Sequence, residues 1–339
     1  MTVLHRPAAP VRRAALLAAC ILAVLAGADV VLWRIATDRL RGAYLDWQGA
    51  LAAQGWQLTA STPQAGGWPI AATLRLRDVR LAQTTAHGLV WTAARLRFGI
   101  WLAHPHEVAA IPSGQQSLAL PGLPALAFTA NRLRASFPLP APVHAAQVVA
   151  DRLTFATPSG PLVIAAAAIQ ADWRATSLHL TASADQAEMP PGRNWGLGQM
   201  VTGASIDLIA HGAWPAAPPG EAAGPWRTTG GTLDIARLAV HWGALDASGG
   251  GRAAIGADGQ PQAALDLRVV EPQAALSALA DAGAITRNAA TAAGAVLALL
   301  EMPQRLTSQP AILNLPLRID GGTVSIGQIP VARLPRIDW

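Results

Sequence analysis

The sequence predicts a mainly β protein, a β-rich α+β chain. An N-terminal transmembrane or juxtamembrane helix leads into a long, curved antiparallel sheet, with two helices near the C-terminus. Three observations carry this expectation. After Trp56 the hydropathy alternates with period two in segment after segment. Gly and Pro supply 31 and 26 of the 339 residues, so turns are frequent. Hydrophobic types make up 52% and charged types 13%, which excludes a disordered, solvated chain.

The N-terminus comes first. Residues 14–28 are uncharged and mostly Ala, Leu, Ile and Val, behind a basic stretch ending in Arg12 and Arg13. With Val30 to Trp33 the run reaches about twenty residues, the length that crosses a bilayer core. Residues 1–33 therefore read as a membrane anchor, with the flanking arginines keeping the N-terminus cytoplasmic and sending the body across. The rival is a cleaved signal peptide, since Ala26-Gly27-Ala28 has a small-x-small form just before Asp29. Continuation of the run past Asp29 favours the retained anchor. The expected address is the inner membrane, single-pass, with the body in the periplasm; after cleavage the body would be periplasmic or secreted.

Residues 34–55 read as a juxtamembrane amphipathic helix. Trp33, Leu40, Tyr44, Trp47 and Leu51 recur at steps of seven, four, three and four, and Gly55 marks the stop.

Residues 56–339 form the exported body. Thr73 to Arg77, Arg95 to Phe98, Asn131 to Ala135, Asp151 to Phe155, Ser177 to Thr181, Ser205 to Leu208, Ala264 to Arg268 and Thr323 to Ile326 each alternate apolar with polar residues. That pattern gives strands with one wet and one dry face, as in antiparallel sheet. Turns are expected at Pro158-Ser159-Gly160, Gly230-Gly231, Ser248 to Gly251, Asp258-Gly259 and Asp320-Gly321-Gly322. Residues 162–169 form a continuous apolar run and predict a buried central strand. The Gly/Pro-rich segments 190–200 and 215–225 predict loops, with a candidate subdomain boundary near 212–228. Residues 271–283 and 286–301 predict two helices, the second ended by Pro303. The last strands run from 312 to about 331.

Charge points away from nucleic acid. All 25 basic residues are Arg, and with no Lys, one Tyr and one Cys the pI rises to 11.0 on a small excess. From Asp29 onward 22 Arg face 20 acids, a net of +2, without the concentrated basic face that phosphate binding needs. Cys20 lies in the apolar run, so the body has no thiol for disulfides, zinc or nucleophilic attack.

Several passages resemble a known family. Trp33, Trp47 and Gly55, then Gly66-Gly67-Trp68-Pro69-Ile70 and the strand to Leu81, are similar to the opening of the bacterial family called domain of unknown function 2125. Leu238 to Gly243, the turn Asp258 to Pro261 and the ending Asp320 to Pro330 match it in order. The motif positions are Gly67, Trp68, Pro69, Trp242, Gly243, Gly327 and Pro330, and Ile70 departs from the commoner pattern. The resemblance implies a membrane segment, a helix with spaced Trp and a β-rich body. It carries over no catalytic residue. The layout also resembles, distantly, the AsmA-like group, which implies envelope lipid homeostasis or transport.

Chemistry-bearing patterns are sparse. In His104-Pro105-His106-Glu107 the proline forbids a shared helical face, leaving a solvated turn or a loop site. Ser248-Gly249-Gly250-Gly251 lacks the strand-elbow-helix of a nucleophile and the Lys of a phosphate loop. Asp234 and Asp246 read as sheet-surface charges. The expectation is a non-enzyme, with no catalytic or metal residues and no cofactor. The 12 Trp, against 4 Phe, suggest rim positions where apolar and wet regions meet.

Roughly a dozen half-apolar strands with two body helices to cover them predict an exposed trough. Its candidate residues are Leu74, Leu76, Leu96, Phe98, Leu133, Leu153, Phe155, Leu178 and Leu180. Arg75, Arg77, Arg95, Arg97, Arg132 and Arg134 point the other way. The function expected is a membrane-anchored envelope protein whose sheet binds lipid or another amphiphile, held to the inner membrane by its N-terminal helix and binding no nucleic acid. The alternative is a non-enzymatic scaffolding envelope protein, a closed β-sandwich with a protein partner.

Overall fold

The structure, a computed structural model of the chain, describes residues 9–84, 88–101, 103–119, 124–139, 144–192, 194–213, 219–283, 285, 290–291, 293–295, 297–298, 311–327 and 329–334. Side chains are described from residue 19, except Cys20, and not for 219–223, 329, 331 and 332.

Helix α1 spans Ala9–Ala53 without a break at residue 33, so the anticipated anchor and juxtamembrane helix are one element. It ends as the residue pattern indicates: the Gly55 amide donates to the Ala52 carbonyl, with Gly55 at φ 77. Among the described residues no helix is long and apolar enough to cross a membrane. The apolar run begins at Ala14, in the part of α1 whose side chains lie outside the described ones.

Among the described residues sixteen strands follow. They are β1 (Trp56–Thr59), β2 (Gln64–Gly66), β3 (Ala71–Gln83), β4 (Val90–Trp101), β5 (His104–Ala119), β6 (Leu126–Pro138), β7 (Ala145–Thr157) and β8 (Gly160–Arg174). Then come β9 (Ser177–Glu188), β10 (Met200–His211), β11 (Thr232–Trp242), β12 (Leu245–Ile255), β13 (Pro261–Val270), β14 (Ile312–Asp320), β15 (Thr323–Ile326) and β16 (Ile329–Arg333). Helix α2 (Pro219–Thr228) lies between β10 and β11, and α3 (Pro272–Asp281) follows β13. All strands belong to one open antiparallel meander, β1-β3-β4 and on in sequence order to β16, with β2 added beside β3. Two stacked sheets, the sandwich alternative, are not what forms.

Four local expectations are corrected. Residues 215–225 overlap a helix, α2, which seats Trp226 at 7% exposure. Ser248 to Gly251 lie inside β12 and not in a turn. They are glycines because neighbouring backbone comes close: a Cβ on Gly249 or Gly251 would collide with the Asp266 or Ala264 carbonyl of β13. The 162–169 run does sit centrally, in β8, but Ile169 remains 43% exposed. Residues 104–107 open strand β5, and are neither a turn nor a loop. Near 212–228 the sheet runs through, since β10 and β11 pair from Val201↔Trp242 to His211↔Thr232. Of the second expected helix, residues 290–291, 293–295 and 297–298 are helical, while Val296, Leu300 and Pro303 lie outside the described residues.

A seam crosses the first eight long strands. Apolar-face positions two residues apart elsewhere are three apart here: Leu76 and Val79 on β3, Ala93 and Leu96 on β4, Ala130 and Leu133 on β6, Ala150 and Leu153 on β7. The step recurs at Ile164 and Ala167 on β8, Ala184 and Ala187 on β9, and Val201 and Ala204 on β10. The extra residue is left-handed on alternate strands: Asp78 (φ 50), Gly114 (φ 82), Arg152 (φ 48) and Gln186 (φ 51). The extra residue falls on both strands of a pair, so the register carries through unshifted from β3 to β4 and from β6 to β10. The left-handed residues fall on one line across the sheet.

Candidate functional site

Directly paired residues on neighbouring strands point to the same face. Following the register from Leu74 gives Phe98, Ala110, Ala135, Val148 and Ile169 on β4 to β8. The ladder continues through Ala182, Ile206, Leu238, Gly249, Leu267 and Leu315 on β9 to β14. It holds no polar side chain. A parallel row, Ala150, Ala167, Ala184, Ala204, Val240 and Ala247, is built almost wholly of alanine.

The two ends of this face are covered. At one end α1 lays Leu40, Tyr44 and Trp47 over Leu74, Leu76, Leu96, Phe98 and Ile100. Trp47 meets Phe98 edge-on with ring centroids 5.4 Å apart. At the other end Leu276 of α3 and Leu297 cover Val269, Leu313 and Leu315, and Gln273 Nε2 donates to the Gly294 carbonyl at 2.9 Å. Between the ends, on β6 to β10, the described apolar side chains are mostly half-buried. Trp173 is 40% exposed and Ile169 lies open at the middle. The sheet thus has a floor of small residues between two helical covers.

The nine trough candidates divide accordingly. Leu74, Leu76, Leu96 and Phe98 are buried beneath α1, so they form core and do not line an open surface. Leu133, Leu153, Phe155, Leu178 and Leu180 lie half-buried on the uncovered face. Phe155 stacks near Phe128 across the β6–β7 pair, centroids 5.4 Å apart. Leu180 sits opposite Ala171 and Leu208. The sequence reading missed the alanine row, because alanine carries little hydropathy contrast, and placed Ile206 in a strand without assigning it to the trough. Only the cross-strand register reveals them as a floor.

The motif positions serve loops. Gly67 has φ 95 and a Cβ there would press on the Ala71 carbonyl. Trp68 and Ile70 beside it are 55% and 71% exposed. At Gly243 (φ 54) the Leu197 carbonyl occupies the space a Cβ would take, and the Trp242 indole donates to the Gly198 carbonyl at 2.8 Å. Gly327 (φ 60) donates its amide to the Pro316 carbonyl, and Pro330 lies exposed opposite Ser325. Trp33 and Trp195 also donate to backbone carbonyls, of Ala71 and Pro190, which places these indoles at strand ends and loops. Trp214 lies outside the described residues.

The opposite face is polar. Arg75 is paired with Arg97 and Arg77 with Arg95, all exposed. Among the described residues none of the four has an ionic partner. Arg132 reaches Asp151 at 3.5 Å and Arg134 reaches Glu107 at 2.7 Å. The Arg134 hydrogen bond holds the Glu107 carboxyl below the usual carboxylate range. His179–Asp207, His211–Asp234 and His241–Asp246 pair at 2.7, 2.9 and 3.1 Å. Arg252, and then His211, hold the Asp234 carboxyl below its ordinary range. These are cross-strand pairs on an open surface, each with an immediate electrostatic partner. No group of three or more His, Cys, Asp or Glu side chains gathers as a metal site among the described residues.

The model of a family described as "Uncharacterized protein conserved in bacteria (DUF2125)" matches residues 33–335. The chain belongs to that family. Neither a curated protein nor a solved structure matches it.

Proposed function

We propose that this DUF2125 family member is a membrane-anchored envelope protein whose sheet holds a lipid or another amphiphile. In this reading α1 anchors the chain in the inner membrane, the body lies in the periplasm, and the role is in envelope lipid homeostasis or transport. The observation that supports it most is Ile169. A large apolar side chain stands 43% exposed at the centre of an unbroken apolar ladder. An exposed large apolar side chain within an apolar sheet face supports the reading of that face as a binding surface.

The mechanism is burial. Each methylene of an acyl chain laid on the face gains about 0.8 kcal/mol. The alanine rows leave depth for the chain on the uncovered face. Orientation along the trough carries no directional chemistry, so chains of different length and saturation suit the same surface. Polar headgroups would remain at the strand ends, beside loops.

Organic extraction of the full-length purified protein, followed by mass analysis, tests the reading. About one amphiphile per chain is expected. Protein free of amphiphile overturns it, and a discrete protein crosslinked to Ile169 in cells favours a scaffolding role.

A further inference from the structure

Beside the strand end at Ala71 stand exposed apolar side chains. The Trp33 indole donates to the Ala71 carbonyl at 3.1 Å, fixing the point where α1 meets the first residue of β3. On the N-terminal side of that point α1 shows its apolar side chains to solvent: Leu22, Val24 and Leu32 are 66%, 71% and 56% exposed. Such a row of apolar side chains suits the hydrocarbon of a bilayer better than water. Trp68 and Ile70 lie one to three residues from Ala71 and are exposed as well. Ala71 pairs with Trp101, the last residue of β4.

The meander continues this edge. Because each strand reverses the last, β4 and β8 end on the side where β3 begins. Trp173 near the end of β8 therefore lies on the edge shared with Trp101, four strand spacings or about 19 Å away. Trp173 faces the trough, opposite Leu178. Arg34 and Arg174 are exposed at the same edge, next to Trp33 and Trp173. Exposed Trp and Ile with nearby Arg, continuous with an apolar helix, is the composition of a protein surface seated among phospholipid headgroups.

We infer that the strand-end edge bearing Trp68, Ile70 and Trp173 rests in the headgroup layer of the membrane that receives α1, so that the trough opens onto that leaflet. The opening rests on the amphiphile reading above, and the seating of the edge on its membrane anchor alone.

The test uses the full chain in phosphatidylethanolamine–phosphatidylglycerol vesicles. Cys20→Ala removes the sole cysteine, and Ile70→Cys, Trp173→Cys or Met200→Cys then carries an environment-sensitive fluorophore. Met200 is exposed at the opposite edge, where β10 begins. Lipids with a nitroxide near the headgroup should quench the labels at residues 70 and 173 at least twofold more than the label at 200. Arg174→Cys substitutes if the Trp173 variant does not fold. Equal quenching at 70 and 200, or quenching at 70 without quenching at 173 or 174, overturns the inference. Lipid extraction from the same preparation separates the two readings. Retained lipid with equal quenching defeats the seated edge alone, and edge-specific quenching without retained lipid defeats the trough alone.

Discussion

Trp47 of α1 meets Phe98 of β4 edge to face, with ring centroids 5.4 Å apart and planes at 66°. Tyr44 lies 5.9 Å from the same ring, where burial raises its phenol above the ordinary value. This aromatic corner fastens the helix to the first strands, and Phe98 is 7% exposed beneath it. Phe98→Ala should cost about 3–5 kcal/mol, the range for truncating a buried aromatic. Urea unfolding followed by near-ultraviolet circular dichroism reads the change. A loss below about 1 kcal/mol would mean that the helix is not seated through this ring.

The trough floor predicts a different response. Ala182 lies between Ile169 and Ile206 on the uncovered face. A large side chain there grows into open space and would occupy the room of the proposed guest. Ala182→Trp should therefore lower the retained amphiphile several-fold while moving stability by about 0.5 kcal/mol or less, as an uncovered site allows. Parallel extraction and urea titration of both proteins check it. Unchanged retention would place the guest elsewhere.

Much of the architecture was legible because period-two alternation is a strong local signal. Thr73 to Arg77 and Asp151 to Phe155 do fall in strands β3 and β7. Other features depend on pairing that local sequence does not encode. The left-handed residues Asp78, Arg152 and Gln186 are ordinary polar residues, and their alignment becomes visible only across strands. Gly249, Gly250 and Gly251 look like a turn because a turn and a crowded strand ask for the same missing Cβ. The covered status of Leu74 and Phe98 was also hidden. An apolar strand face reads identically whether a helix or a guest lies on it. The α1 stripe of Leu40, Tyr44 and Trp47 contained the answer, but not its address on the sheet.

The polar face offers a gain of stability. Arg75 and Arg97 oppose each other directly, as do Arg77 and Arg95. Like charges in direct cross-strand register are destabilising, and opposite charges there contribute about 0.2–1 kcal/mol. Arg97→Glu should raise the urea midpoint by an amount in that range. Because the side chains are exposed, the gain should shrink in 1 M salt, where screening acts over about 3 Å. A salt-independent gain would point to packing instead.

Glu107 gives a pH dependence with a defined sign. Its carboxyl is held below the ordinary range chiefly by the Arg134 hydrogen bond, so the folded chain binds that proton less readily than the unfolded chain. The contribution is fully present above the ordinary carboxylate range and is lost as pH falls through the lowered folded value. The pair is about 36–38% exposed, which keeps the effect small. Glu107→Gln should flatten the stability–pH curve below the carboxylate range and leave its slope at neutral pH unchanged. Identical acid limbs in the two proteins would show that the pair does not contribute.

Two glycines separate backbone strain from collision. Gly230 and Gly243 both have positive φ, 77 and 54, and both lie in turns. A Cβ on Gly230 meets nothing within 4 Å, so Gly230→Ala should cost about 1–2 kcal/mol through the left-handed conformation itself. At Gly243 the Cβ would also run into the Leu197 carbonyl, which belongs to backbone and cannot rotate away. Gly243→Ala should therefore cost clearly more and push the Leu197 loop off the β11–β12 turn. That displacement would break the Trp242 indole bond to the Gly198 carbonyl. Amide hydrogen exchange over residues 194–199 reads the local effect, and urea unfolding the global one. Equal costs for the two variants, with unchanged exchange in the loop, would refute the close approach of Leu197 to Gly243.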